Sequence, residues 1–125
     1  QCHDIIHILL GRGLLPKDEA FVIGFTMGST KGLTSIDTAI FEFVTRYLYP
    51  KGYTFGDDEF VVFNMGVKAA ENMGCPDLSK LDLTSYIGYT INKAREKLGI
   101  DILELIRQYS IEMRNYNSIE SQRLL

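Results

Sequence analysis

Two cysteines in 125 residues, Cys2 and Cys75, make no disulfide framework and no CxxC pair of the kind that holds a metal. A reducing, intracellular setting is the simpler reading. A basic excess is lacking too. The net charge is −3 and the pI about 5.3, so composition offers no electrostatic case for nucleic acid as a partner. Glycine or charge breaks every apolar run well before the ~18 residues that a bilayer span needs. There is no signal-peptide pattern, no polybasic patch and no strongly amphipathic basic helix. Alternating strand patterns of useful length, internal repeats and low-complexity stretches are also missing. The small-residue loop at 28–32 lacks the GxxxxGK[ST] spacing of a phosphate loop. The chain begins at Gln1 and reaches its histidines at once, so we read residues 1–125 as one domain from a fragment or cropped chain, with upstream helices missing.

What is present is apolar and helical. Hydrophobic residues make up 46% of the chain, enough for a core. Residues 2–10 read as the end of a helix, with Ile5, Ile6, Leu9 and Leu10 apolar and Gly11 and Gly13 as its stop. Pro16 opens a second helix, with Lys17, Asp18 and Glu19 in its first turn. Phe21, Val22, Ile23, Phe25 and Met27 leave it almost no polar face, so it is expected to be buried nearly all round. Gly24 and Gly28 would let a backbone or a ligand come close. A third helix is expected over 36–48 (Ile36, Ile40, Phe43, Val44, Tyr47, Leu48). A fourth runs from Asp57 or Asp58 to Met73, with Phe60, Phe63, Val67 and Ala70 as its stripe. A fifth runs from Asp82 or Thr84 to Leu98 through Leu83, Ile87, Ile91 and Ala94. The last starts at an Asp101/Glu104 capping pair and buries Ile102, Leu105, Ile106, Tyr109 and Met113. The tail from Asn115 reads as polar and frayed. The expected fold is all-α, a single compact bundle of about six helices.

The chemistry is concentrated near the start. Both histidines of the chain, His3 and His7, are one helical turn apart. Asp4 lies roughly 100° around the helix from His3 and about 60° from His7. Eleven residues separate His7 from Glu19. In an antiparallel hairpin, His7 and Glu19 lie roughly 6 Å and 4.5 Å from the turn, and so level with each other. Two imidazoles and two carboxylates offset a divalent charge and suit zinc, iron or manganese. Against this, Glu19 alone reads as a first-turn acid and Asp4 alone as a solvated one. Met27, Met65 and Met73 read as core, Asp57 and Asp58 as helix-start acids, and Arg12 and Lys31 as solvated loop charges.

His3-Asp4-x-x-His7, eleven residues and Glu19 resemble the HDxxHx11E signature of the ubiquinone (coenzyme Q) biosynthesis family of mostly helical metal-binding proteins, the fourth of the yeast-named set. Ile8-Leu9-Leu10-Gly11 and Arg95-Glu96-Lys97-Leu98-Gly99-Ile100 are similar to its pattern as well, and the likeness spans most of residues 2–105. Asp18 stands where that family usually has glycine, and Tyr86, Tyr89 and Asn92 replace a more charged pattern. The resemblance implies a divalent metal, zinc first, on His3, Asp4, His7 and Glu19. It implies a polyprenyl lipid or quinone intermediate as ligand, with Phe21, Gly24, Phe25 and Gly28 as its wall, although an ordinary core helix also explains those four residues. It further implies other quinone-biosynthesis proteins as partners, with a homo-oligomer as an option. Location would be cytoplasmic or peripheral on a bacterial membrane, or the matrix face of the mitochondrial inner membrane. The role would be oxidative decarboxylation of a prenylated hydroxybenzoate ring or a non-catalytic lipid-binding scaffold. Zinc has no redox chemistry, so an oxidative step would need iron, oxygen or another partner. Two less favoured readings are a zincin-type protease with Asp4 in place of the usual glutamate base, and an HD-type phosphohydrolase.

Overall fold

Glycine and proline at 11–16 divide the first two helices, and the chain folds accordingly. The computed structural model describes residues 2–29, 56–78 and 80–124, with the backbone alone at Cys2 and His3. The expected helix over 36–48 and Lys31 lie outside the described residues. Helix α1 spans Cys2–Leu10 and α2 Pro16–Ser29. Helix α3 spans Asp57–Met73. After a single 3-10 turn at Leu83–Tyr86 come α4 (Ile91–Leu98), α5 (Ile102–Asn115) and the short α6 (Ile119–Gln122). There is no strand among the described residues, and the architecture is an all-α bundle.

Gly11 closes α1 in the left-handed region at φ 67°, which a residue without Cβ enters without steric cost. Its amide and that of Arg12 then donate to Ile8 O and His7 O, at 3.1 and 2.9 Å, and satisfy two of the last carbonyls. Helix α2 is buried along almost its whole length. Among the described residues its tightest partner is α3, and glycine is the reason. A Cβ added at Gly24 would sit 2.1 Å from Phe63 O, one at Gly28 2.3 Å from Val67 O, and one at Gly66 2.4 Å from Phe21 O. Three missing side chains therefore let two backbones touch, and a backbone takes the place the glycines left open.

Around that contact lie Phe21, Phe25, Phe63, Val62, Val67 and Ala70, all buried. Phe21 stacks on Phe25 and meets Tyr109 of α5 edge-on, with centroids 6.3 and 5.1 Å apart. The methionines Met27, Met65 and Met73 pack partly buried against this core. The α3 prediction holds to its ends, with Asp57 and Asp58 exposed in its first turn.

Four expectations are corrected. The stretch 82–98 is not one helix. Gly88 lies in a turn, Thr90 caps a new start through Lys93 N, and Ile87 and Ile91 are exposed. A turn-forming glycine breaks an apolar periodicity that had looked continuous. On α5 the buried face is Leu105, Gln108, Tyr109 and Glu112; Ile106 is exposed and Met113 only partly covered. The face is rotated so that Glu112 lies inside, where Arg12 pairs with it. Asp101 does cap the helix through Leu103 N, but Glu104 bonds Arg107 and Gln108 instead of returning to the cap. The tail is also not frayed at 118–122. Helix α6 forms, and Glu120 and Ser121 are buried.

Candidate metal centre

His7 and Glu19 meet across the α1–α2 hairpin. His7 Nε2 lies 3.1 Å from Glu19 Oε1, and each side chain is only 5% exposed. Asp4 is exposed on the same helix, while His3 stands one turn earlier on α1. Among the described residues, no group of three or more His, Cys, Asp or Glu side chains is close enough to hold a metal ion. Two donors of the expected four are thus together.

The pair fits a metal in one respect. Zinc bonds to nitrogen and carboxylate oxygen are ~2.0–2.2 Å, so two donors on one ion at tetrahedral to octahedral angles lie roughly 3.0–3.4 Å apart. The separation is also that of a charge-assisted hydrogen bond. Phe21 and Phe25 are fully buried, and Gly24 and Gly28 face α3 backbone. A prenyl chain against that wall would require α2 and α3 to part.

A buried charge network holds the hairpin. The Arg12 guanidinium donates to both oxygens of Glu112 at 2.7 and 3.0 Å and to Asp18 at 3.0 Å. It lies over the rings of both Phe21 and Tyr109, 5.1 Å from each centroid. Burial alone would lower the Arg12 pKa, but the hydrogen bonds and charge of Glu112, with help from Asp18, more than offset this and raise it. The Asp18 carboxylate also accepts from Leu15 N and from half-exposed Arg123, at 3.1 and 3.0 Å. Ser121 donates to Glu112 at 2.7 Å. Two guanidiniums therefore face two carboxylates, with their hydrogen-bonding capacity largely filled, as buried charges require.

Helices α4 and α5 close the end of α1. Arg95 Nε donates to Leu9 O at 2.7 Å, and the Tyr109 hydroxyl donates to Leu10 O. With the amides of Gly11 and Arg12, every carbonyl from His7 to Leu10 is satisfied. Burial pushes the Tyr109 phenol far up, so it stays a donor. Alongside, Lys17 Nζ pairs with Glu59 at 3.0 Å, and its amide donates to Glu120 at 3.2 Å. Burial would lower the Lys17 pKa, but the hydrogen bond and charge of Glu59 raise it. Burial would raise that of Glu120, but the amides it accepts from hold it down.

Sequence reading missed this network and placed Arg12 in solvent, where the structure buries it. One signal was available. Glu112 falls on the Leu105–Tyr109 stripe, and an acid at a core position needs a partner. Comparison of the chain with protein-family models, with curated proteins and with solved structures finds no match.

Proposed function

We propose that the chain is a metal-binding helical protein of prenylquinone biosynthesis that binds or presents a polyprenylated aromatic intermediate. The reading rests on the HDxxHx11E likeness. The observation that supports it best is the His7–Glu19 approach at 3.1 Å across a hairpin that the eleven-residue spacing anticipates. His3, Asp4, His7 and Glu19 would hold the divalent ion, with zinc first and iron or manganese as alternatives. Such an ion supplies a Lewis acid for a carboxylate or phenolate oxygen, and redox capacity only if it is iron or manganese. His7 and Glu19 are the inner donors, kept from bulk water by the core around Ile6 and Leu10. The exposed Asp4, which stands apart from that pair, would have to swing in as the solvent-side ligand, and the two carboxylates would then offset the ionic charge. Oxidative decarboxylation of a prenylated hydroxybenzoate is the reaction such a site would serve.

The competing reading is a scaffold without chemistry. It draws on the same contact, because a histidine and a carboxylate at this distance stabilise each other with no ion present. Among the described residues, no helix is long and apolar enough to cross a membrane. Attachment to a membrane face and to other quinone-biosynthesis proteins belongs to the proposal.

The test is elemental analysis of protein purified without added metal, for wild type and His7→Ala. Near-stoichiometric metal in wild type and its loss in the variant is the expected result; wild type without metal overturns the ligand assignment. Prenyl lipid recovered on extraction, with no loss of ring carboxylate under iron, zinc or manganese, would favour the scaffold.

A further inference from the structure

The residues that hold the hairpin include a segment remote in sequence from the site. Residues 118–123 reach back to the hairpin directly at two points and through Glu112 of α5 at a third. Glu120 accepts from Lys17 N at 3.2 Å, two residues before Glu19. Arg123 Nη2 donates to Asp18 Oδ2 at 3.0 Å, one residue before Glu19. Ser121 donates to Glu112, which grips Arg12, and the Arg12 amide is bonded to His7 O. Ser118 in turn donates to Ser121 at 2.8 Å. Both sides of the His7–Glu19 pair are therefore tied to this one segment, through Arg12 on the α1 side and through Asp18 and Lys17 on the α2 side.

Gly13 makes room for it. A Cβ there would lie 2.5 Å from Arg123 Nη2 and 3.1 Å from Asp18 Oδ2. The turn thus carries a glycine where a side chain would press on the guanidinium end of Arg123 and make it shift against its carboxylate. Half of the Arg123 side chain is exposed, whereas Asp18 is fully buried, so this tie lies at the edge of the network and can be loosened without emptying the core.

We infer that residues 118–123 are a strap that positions His7 against Glu19, with Arg123 and Ser121 as positioning residues and Arg12, Asp18 and Glu112 as the relay. As a statement about metal affinity the inference rests on the ligand reading above; as a statement about the hairpin it does not. Groups bonded directly to a ligand change metal affinity ~10–100-fold, so a strap one bond further out is worth roughly threefold to tenfold.

The experiment is titration of the full chain with Co2+ alone, reading affinity and the visible spectrum that reports ligand geometry, beside hydrogen exchange of residues 8–19. In Arg123→Ala, Co2+ binding weakens roughly threefold to tenfold, the spectrum shifts, and exchange in the hairpin quickens while far-ultraviolet dichroism holds. Arg123→Lys restores most of the affinity. Gly13→Ala, with the arginine present but crowded, reproduces the loss. Wild-type affinity, spectrum and exchange in Arg123→Ala and Gly13→Ala would overturn the strap. Should wild type bind no Co2+, the ligand reading fails by itself. Hairpin exchange then decides the strap, quickened exchange in Arg123→Ala supporting it and unchanged exchange overturning it.

Discussion

The two halves of α2 are buried by opposite means. Its first turn, Lys17, Asp18 and Glu19, is polar and enclosed by charge partners from α1, the α1–α2 turn, α3 and the segment 120–123. Its remainder, Ala20 to Phe25, is apolar and lies against α3 with glycine at the crossing. The apolar half depends on shape, so any added atom must displace a backbone. The charged half depends on completeness, and removing one partner leaves another buried and uncompensated. Glu19 belongs to the charged half, so the candidate site is held by electrostatics at one end of a helix that packing fixes at the other.

Gly24→Ala tests the apolar half, with an effect as large as any expected here. Helix propensity alone would give a gain of about 0.5–1 kcal/mol for replacing glycine in a helix interior. The contact of the new methyl with Phe63 O reverses that sign. We expect a loss of roughly 3 kcal/mol or more, because neither backbone can yield without separating the helices. Urea unfolding measures it, and an unchanged or raised midpoint would break the account of α2–α3 packing.

Glu112→Ala tests the charged half. It strands Arg12, 5% exposed, beside Asp18 alone, at a cost of about 3–5 kcal/mol. The contrast lies in the double variant. Arg12→Met with Glu112→Leu removes both charges, leaves Asp18 its arginine at 123, and should recover most of the loss. No such rescue exists at Gly24. A double variant as unstable as Glu112→Ala would mean that the network contributes more than mutual compensation.

The same contrast explains what could be read in advance. Helix α3 was legible to its ends, since acids at 57–58 and glycine at 74 bracket an apolar stripe. The meeting of His7 with Glu19 was legible too, because a short turn leaves two helices one way to fold back. The burial of Arg12 was not. A guanidinium in a glycine-rich turn has every local reason to face water, and its partner lies 100 residues away on α5. Long-range charge pairing leaves no periodicity. Nor could Gly24 and Gly28 declare whether a lipid or a backbone would fill the space beside them. The break at Gly88 was hidden because Leu83, Ile87 and Ile91 keep helical spacing across a turn that exposes two of them.

Tyr109 joins the halves, its ring against Phe21 and its hydroxyl on Leu10 O. Tyr109→Phe keeps the packing and removes only the hydrogen bond, so a carbonyl at the end of α1 is left unsatisfied. The expected cost is about 1–2 kcal/mol, smaller than either effect above. A value near zero in urea unfolding would place the whole burden of closing α1 on Gly11, Arg12 and Arg95.

Cys75 offers an internal control, since it lies in the loop after α3, away from both halves. Its thiol is buried, donates to Gly99 O at 3.5 Å, and is pushed by burial from 9.0 up to about 11. A raised pKa in the folded state gives stability that is whole below pH 9, where both states hold the proton. It is lost as pH climbs toward 11, because the unfolded chain ionises first. The loss amounts to about 1 kcal/mol per pH unit across that window. Cys75→Ala should therefore be less steeply destabilised than wild type between pH 9 and 11, while the titrations of Tyr109 and Lys17 remain common to both proteins. Parallel stability curves would show that the thiol reaches water in the folded chain. Slow reaction of the native thiol with a disulfide reagent at pH 8, sped by urea, provides the kinetic counterpart, because the thiolate is the reacting form and is scarce in the fold.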